Sequence, residues 1–327
     1  MKKLIPRPHT MLLLGCMAAC LVAACARTLR QPLPLPAADT IVQLWQAASD
    51  VDTRDLLHGP GGPELSPPPV TYAFVAVKTS GTNPGYDVRD PQGRLWSVKL
   101  GDEAQTEVTT GRILWALGFH QPPTYYVKQW RMSGRSDGDQ PAARFRLEVP
   151  EHQVVGEWSW YDNPFIGTRQ YAALIAVNLL LNNWDLKTSN NKVYAVTGDG
   201  ANARRYVVRD LGASLGKARQ PRLLSWIPFM RHKQGTKNIL EDFEVQGWVK
   251  GAEDGMIDFD YRGLDPALVG SVTVDDLRWT CELLSRLTEP QWHDAFRAGG
   301  YDEAQRGRYV RRIQEKIAHA RQMISAS

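Results

Sequence analysis

Cysteine is scarce in this sequence, and the motifs of several common enzyme classes are missing. Only four cysteines occur among 327 residues, and no C-x-x-C, H-E-x-x-H or Walker A pattern is present. These absences disfavour thioredoxin-type chemistry, zinc-dependent hydrolysis and P-loop nucleotide hydrolysis. Cys281 is the one cysteine beyond the first 25 residues and lies in an apolar helical pattern. We therefore predict that Cys281 is a core residue without a disulfide partner.

A hydrophobic run long enough to cross a bilayer is missing from the N-terminus, because the apolar residues 11–24 are too few. Basic residues precede this run, and small residues lead up to Cys25, which resembles the cleavage box of a bacterial lipoprotein. We predict a signal peptide at 1–24 and lipidation at Cys25, with Cys16 and Cys20 as competing cleavage points. A plain signal peptide or an uncleaved anchor is the alternative.

This N-terminus predicts that the protein is located in the bacterial cell envelope. Ala26, rather than aspartate, follows the cysteine, and by the lipoprotein resemblance this favours an outer-membrane protein that faces the periplasm. The chain would then contact the membrane through its N-terminal lipid. Removal of residues 1–24 takes away three positive charges and lowers the formal net charge from +4 to +1. A nearly neutral chain gives no reason to expect nucleic acid as a partner.

The rest of the chain divides by composition and pattern. Residues 25–69 are rich in proline and predict a spacer that tethers a domain to the membrane, with a short helix at about 39–48. Residues 70–158 show strand-like alternation and one helical pattern, whereas residues 159–327 are mostly helical in pattern. This order predicts an α+β protein with a small β-rich N-lobe and a mostly helical C-lobe.

Three polar residues follow the apolar helical pattern of residues 169–182. They are Asp185, Lys187 and Asn190, and after two strand-like pieces the chain reaches Asp210-Leu211-Gly212. Each turn alone is also typical of a helix end or a strand end, but together they have the order of a phosphoryl-transfer site. We predict that Asp185 orients the acceptor hydroxyl and that Lys187 neutralises charge on the transferring group. Asn190 and Asp210 would hold Mg²⁺ through oxygen atoms.

Two charged residues upstream complete the predicted site. Lys99 ends a predicted strand, and Glu107 lies eight residues later in the following helical pattern. We predict that Lys99 holds the phosphates and that Glu107 fixes Lys99, with Glu103 as the rival for this pairing. The turn between the first two strands contains Gly81 and Gly85 and would cover the phosphates, although it lacks G-x-G-x-x-G.

Taken together, these residues resemble the protein-kinase-like superfamily. The matching segments are Val98-Lys99, Glu107, Asp185-Leu186-Lys187 with Asn190, and Asp210-Leu211-Gly212. The resemblance spans about residues 70–290 and is nearest in style to the atypical branches, such as HipA-type, phosphoinositide and secretory-pathway kinases. It implies a two-lobed kinase-like fold, ATP as co-substrate, Mg²⁺ or Mn²⁺, and a protein, lipid or small molecule as phosphate acceptor.

The sequence departs from the kinase pattern at several positions. Asn183 and Trp184 stand where a protein kinase usually has histidine and arginine, and Leu211 replaces phenylalanine. No Ala-Pro-Glu follows the last aspartate of the pattern. In kinases the missing arginine binds the phosphate of the activation loop, so its absence argues against control of that kind. No catalytic group is lost.

Interpretations from other classes remain open. Residues 212–216, GASLG, match the G-x-S-x-G pattern of a serine hydrolase with Ser214 as nucleophile, but Pro221 would break any helix soon after it. A catalytically inactive binding module with a kinase-like fold is a second alternative, and an unrelated envelope scaffold is a third. The basic stretch 217–237 predicts either a solvated loop or a docking site for an anionic substrate or lipid headgroup.

Overall fold

A computed structural model describes residues 37–79, 83–198, 203–218, 235–261 and 266–326. All of them belong to one compact unit, residues 35–327. The predicted signal peptide, Cys25 and Gly81 lie outside the described residues. Among the helices that the structure describes, none is long and apolar enough to cross a membrane.

The described part of the segment before the first strand, residues 37–69, packs on the body of the protein. It contains α1 (Ala38–Ile41), much shorter than the predicted helix, and two 3₁₀ turns, Val51–Thr53 and Gly59–Gly61. Its buried apolar side chains are Leu44, Ala48, Val51 and Leu56, and they join the same core as the C-terminal helices. Because this burial stabilises the segment against the body, residues 37–69 are part of the folded domain.

Strands dominate the first half of the domain. They are β1 (Thr71–Val77), β2 (Gly85–Arg89), β3 (Leu95–Leu100), β4 (Thr124–Val127), β5 (Trp130–Ser133), β6 (Gly138–Gln140) and β7 (Ala143–Leu147). They form one seven-stranded sheet in the order β4-β7-β3-β2-β1-β5-β6. Alternation along the strands places Trp96, Val98 and Phe145 in an aromatic-rich core on one face. The opposite face carries the residues between them, including Ser97 and Lys99.

One long helix, α2 (Glu103–Ala116), packs against this sheet and contacts β3, β4 and β7. The helix is buried on nearly all sides, and Val108, Ile113 and Leu114 are fully enclosed. Ile113 and Leu114 belong to the main core, which they share with the helical half of the protein. Helix α2 therefore connects the β-rich half to the helical half through apolar packing.

Helices dominate the second half. They are α3 (Arg169–Leu180), α4 (Leu240–Val245), α5 (Pro266–Val269), α6 (Val274–Leu284), α7 (Glu289–Ala298) and α8 (Glu303–Ala326). The strands here are β8 (His152–Gly156), β9 (Asn191–Val196), β10 (Arg204–Val208), β11 (Val249–Glu253) and β12 (Met256–Phe259). Strands β10-β9-β8 form a second antiparallel sheet, and β11 pairs with β12. Thr168, Thr273 and Thr288 cap α3, α6 and α7, because each side chain accepts a backbone N–H bond.

This architecture confirms the predicted α+β fold, in which a β-rich part with one long helix precedes a mostly helical part. Strand β8 falls within the range predicted for the N-lobe, 70–158, but it pairs with β9 of the helical half. Val154 and Val155 of this strand are both exposed. The local pattern therefore gives no indication of the partner strand, which tertiary contacts decide.

Candidate active site

A cavity of about 520 Å³ opens between the polar face of the seven-stranded sheet and the loops that follow α3 and β10. Seven of the predicted site residues line it: Gly85, Lys99, Glu107, Asp185, Lys187, Asn190 and Asp210. Gly81, which was predicted to act with Gly85, lies outside the described residues. The fold thus brings residues from both halves of the chain to one cavity.

Lys99 lies at the centre of a cluster of carboxylates. Its Nζ is 2.7 Å from Glu103 Oε2 and 3.0 Å from both Glu107 Oε2 and Asp210 Oδ1. Burial by itself would lower the pKa of Lys99, but the carboxylates of Glu107, Asp210 and Glu103 outweigh it and hold that pKa above its ordinary value. Lys99 is therefore charged at neutral pH, and both of the rival glutamates contact it.

Glu107 is buried among three cations. In addition to Lys99, Arg144 Nε lies 2.9 Å from Glu107 Oε1, and Arg146 Nη1 lies 3.3 Å from the same oxygen. Burial would raise the pKa of Glu107, but the charges of Arg144 and Lys99 lower it below its ordinary range. Burial and the neighbouring Arg146 lower the pKa of Arg144 to about 10, so this guanidinium also remains charged at neutral pH.

Sequence reasoning missed both arginines, although a signal for them exists. In strand β7 the order Ala143-Arg144-Phe145-Arg146-Leu147 places the two arginines on the face opposite Phe145. In the sheet Arg144 stands beside Lys99 and Arg146 beside Ser97. The local pattern identifies the face, but only the pairing of β3 with β7 places it over the cavity.

The loop after α3 is held by hydrogen bonds among the predicted catalytic residues. Asn190 Nδ2 donates to the backbone oxygen of Asp185 at 2.7 Å and to Asp185 Oδ2 at 3.1 Å. Lys187 Nζ lies 2.8 Å from the same carboxylate, with its side chain 57% exposed. Asp210 N in turn donates to the backbone oxygen of Asn190 at 3.2 Å. These bonds fix Asp185, Asn190 and Asp210 relative to one another.

The donor set fits a hard divalent cation. The side-chain nitrogen Nδ2 of Asn190 donates hydrogen bonds to Asp185. The side-chain oxygen Oδ1 of Asn190 is therefore left to bind a cation. The Asp210 side chain is 43% exposed and is open to the cavity. In the part of the chain that the structure describes, no group of three or more acids, histidines or cysteines is placed to hold a metal. Mg²⁺ commonly takes one or two carboxylates and completes its shell with phosphate oxygens and water.

Close packing requires two glycines, Gly85 in the cavity lining and Gly212 in the loop after Asp210. A Cβ at Gly85 would lie 2.5 Å from the backbone oxygen of Val98, and a Cβ at Gly212 would lie 2.7 Å from Cβ of Glu103. Gly85 therefore permits the close approach of β2 and β3, and its predicted contact with phosphate stays a prediction. Gly212 permits the loop after Asp210 to lie against α2, where Thr106 Oγ1 donates to its backbone oxygen at 2.9 Å.

Trp184 and Lys237 link the loop after α3 to α2, and no local sequence pattern predicts this contact. Trp184 Nε1 donates to the backbone oxygen of Thr236 at 2.9 Å. The next residue, Lys237, forms an ion pair with Glu103 of α2. Trp184 therefore holds a neighbouring segment by an uncharged hydrogen bond.

The serine-hydrolase alternative does not fit the structure. Ser214 is fully buried and does not line the cavity. Its Oγ has no hydrogen-bond partner among the described residues, and residues 211–217 form no helix. A nucleophile elbow requires an exposed serine on a turn that leads directly into a helix.

Comparison with known proteins gives matches by structure only. No protein-family profile matches the sequence, and no curated protein sequence matches it. The proinflammatory kinase CtkA of Helicobacter pylori is similar in structure, with 10% identity and a TM-score of 0.46 over 79% of this chain and 99% of that one. Two structures of the Golgi casein kinase, one with Mn/ADP bound, also match at 10% identity. Their TM-scores are 0.37 and 0.34, over 83% and 84% of this chain and 74% of theirs. At these scores the likenesses say nothing about which residues act.

Proposed function

We propose that this protein is a kinase-like phosphotransferase that binds a nucleoside triphosphate, such as ATP, together with Mg²⁺ or Mn²⁺. The observation that carries the proposal is the contact of Lys99 with both Glu107 and Asp210, each 3.0 Å away. A lysine fixed by a helix glutamate, beside a carboxylate suited to a metal ion, is the arrangement that phosphoryl transfer requires. The loop of Asp185 and Asn190 adjoins it through backbone hydrogen bonds.

Each residue has a role that follows from its position. Lys99 would contact phosphate oxygens, and Glu107 would hold its ammonium group in place. Asn190 and Asp210 would bind the metal ion, which would offset the negative charge of the phosphates. Asp185 would accept the proton of the acceptor hydroxyl, and the exposed Lys187 beside it would neutralise charge on the transferring group.

The Asp185→Asn variant tests this proposal, because it removes the proton acceptor and keeps the shape of the loop. We expect unchanged affinity for Mg·ATP by calorimetry and a loss of phosphate transfer of about 10²–10⁴-fold. Transfer is measured as label moved from γ-labelled ATP to the protein itself, to water or to added acceptors. The matched control is Asp258→Asn, at an exposed position of β12.

The outcomes separate the proposal from its nearest alternative. If wild-type protein binds Mg·ATP but transfers no label under any condition, the chain is a binding module with a kinase-like site. If Asp185→Asn retains the wild-type transfer rate, Asp185 is not the proton acceptor.

The location in the cell envelope, with a lipid on Cys25, is a separate proposal that rests on the N-terminal sequence alone. Mass spectrometry of the protein from bacterial membranes tests it.

A further inference from the structure

A lysine of the C-terminal helix is buried in the helical half of the protein and does not line the cavity. Lys316 of α8 is 3% exposed, and its Nζ contacts neutral groups. Burial lowers the pKa of Lys316 well below its ordinary value. For packing alone an apolar side chain would serve better, because burial of an amine carries a desolvation cost. The bonds that Lys316 makes therefore need an explanation.

Lys316 donates two hydrogen bonds, and both go to the segment that leads into the loop after α3. Its Nζ lies 3.3 Å from the backbone oxygen of Leu180, the last residue of α3, and 3.2 Å from Oδ1 of Asn182. The same Nζ lies over the ring of Phe243, 3.7 Å from the ring centre. The carbonyl end of a helix carries partial negative charge, which favours a cation at this point. Lys316 thus joins α8 to the start of the loop that carries Asp185.

Asn182 extends this contact to the loop after Asp210. Its Nδ2 donates to the backbone oxygen of Gly216 at 2.7 Å. Asn182 is fully buried and has a φ of 55°, in the left-handed region, which asparagine adopts more readily than most residues. Leu215, the residue before Gly216, has a φ of 56°, which is rare for a bulky side chain. Such conformations persist only where the surrounding contacts hold them.

The two loops are joined on either side of Asp185. On one side residues 181–184 pair with residues 213–216 through backbone hydrogen bonds of 2.9 Å and 3.2 Å. On the other side Asp210 N donates to the backbone oxygen of Asn190 at 3.2 Å. Asp185 lies in the chain between these two junctions, so a shift at the first junction changes its position relative to Asp210.

Tyr309 gives α8 a second contact with the first junction. Its hydroxyl donates to the backbone oxygen of Leu215 at 3.2 Å. Tyr309 and Lys316 are seven residues apart, which is two turns of an α-helix, so both lie on one face of α8. Helix α8 therefore supports the junction at two points, one in each loop.

We infer that Lys316 is a positioning residue, which acts through Asn182 to hold the loop of Asp185 against the loop after Asp210. The inference rests on the proposed function, because it concerns how the proton acceptor of that function is held in place. Lys99 contacts Asp210 directly, 3.0 Å away, so the parts that would bind phosphate and metal do not depend on Lys316. The effect of Lys316 should therefore appear in the rate of transfer and not in the binding of Mg·ATP.

Lys316→Met tests this division between rate and binding, because it keeps the length of the side chain and removes its donors. We measure kcat and KM for transfer from γ-labelled Mg·ATP to water or to the protein itself. We expect kcat to fall about ten- to hundredfold, since a small misplacement of a catalytic group has effects of that size, and KM to stay within about threefold. The control is Ile324→Ala, which opens a cavity in the core on the same helix and should keep the wild-type kcat. A wild-type kcat in folded Lys316→Met, or an equal loss in Ile324→Ala, overturns the inference.

Asn182→Gly tests whether Lys316 acts through Asn182, and it also serves if Lys316→Met does not fold. Glycine accepts the left-handed conformation of this position, so only the two side-chain contacts are lost. Asn182→Gly should lower kcat in the same way, and the double variant should be no slower than the slower single variant. Losses that multiply in the double variant would show that the two residues act independently and would contradict the inference.

Hydrogen exchange of the ligand-free protein separates a failure of this inference from a failure of the proposed function. The amides of residues 181–184 and 213–216 are compared with the amide of Val108, which is fully buried in α2. In Lys316→Met the amides of the two loops should exchange at least about tenfold faster relative to Val108, and in Ile324→Ala this ratio should stay as in wild type. If wild type transfers no phosphate, the proposed function fails, and the exchange ratio alone decides whether Lys316 holds the loops. An unchanged ratio in Lys316→Met overturns the inference in either case.

Discussion

Glu107→Gln is the substitution that should cost the site most in stability, because it removes one buried charge and keeps the shape of the side chain. Glu107 is 4% exposed and contacts Lys99, Arg144 and Arg146. At about 3 Å and an effective dielectric constant near 20, each contact is worth roughly 5 kcal/mol of gross attraction, much of which desolvation offsets. The variant leaves the buried Arg144 and Arg146 with too few counter-charges, and it leaves Lys99 with Glu103 and Asp210 alone.

The net loss follows from how buried ion pairs behave when one partner is removed. That change typically destabilises a protein by about 3–5 kcal/mol. For a domain of this size about 1 kcal/mol corresponds to a shift of roughly 2–4 °C in the melting temperature, so we expect a fall of about 6–20 °C. Differential scanning calorimetry measures the melting temperature, and urea unfolding gives the free energy independently.

An exposed ion pair provides the control for this measurement. Asp139 pairs with Arg131 at the surface, and their side chains are 90% and 66% exposed. Asp139→Asn should therefore change the melting temperature very little, since exposed pairs contribute at most about 1 kcal/mol. If Glu107→Gln melts within error of Asp139→Asn, the three contacts of Glu107 are not a stabilising network and the reasoning is wrong.

Two further predictions concern the same network. The pKa values of Glu107 and Asp210 are lowered in the folded state, so their stabilisation is present above the ordinary carboxyl range and is lost as the pH falls below about 4. Urea unfolding between pH 3 and pH 6 should show this loss, and a Glu107→Gln variant with the same pH slope as wild type would contradict it. Gly212→Ala should destabilise by about 1–3 kcal/mol, because its Cβ would lie 2.7 Å from Cβ of Glu103. Its control is Gly307→Ala in α8, where a Cβ meets no atom within 4 Å and the change should be neutral or stabilising. Equal melting temperatures for the two variants would show that the loop after Asp210 shifts enough to avoid the clash.

Local patterns carried much of the information about the fold and the candidate site. Lys99 and Glu107 could be identified because one ends a strand of clear alternation and the other lies within the helix that follows. Spacing alone, without knowledge of any contact, identified three further residues of the site: Asp185, Asn190 and Asp210. The strands and helices around them followed from periodicity, so their order and type were predictable.

Other features depend on contacts between distant residues and were missed for that reason. The alternation of Arg144 and Arg146 with apolar residues is also typical of a solvent-exposed strand face. Only the pairing of β7 with β3 shows that this face lines the cavity. The prolines before β1 predict a spacer, yet Leu44 and Leu56 pack in a core to which helices more than 200 residues later contribute. Glu103 was considered as a rival of Glu107, whereas the three-dimensional arrangement allows both to contact Lys99.

The dependence of nucleotide affinity on Mg²⁺ in Asp210→Asn tests the central claim most directly. The substitution removes the carboxylate that would bind the metal ion and keeps the shape of the side chain. Affinity for ATP is measured by calorimetry with and without Mg²⁺, for wild type, for Asp210→Asn and for the exposed control Asp258→Asn. Wild type and control should bind ATP more tightly with Mg²⁺ than without it. In Asp210→Asn this Mg²⁺-dependent increase in affinity should be smaller by a factor of at least about ten, or 1.4 kcal/mol. A folded Asp210→Asn protein with the full Mg²⁺-dependent gain would contradict the assignment of this cavity as a metal-assisted phosphate site.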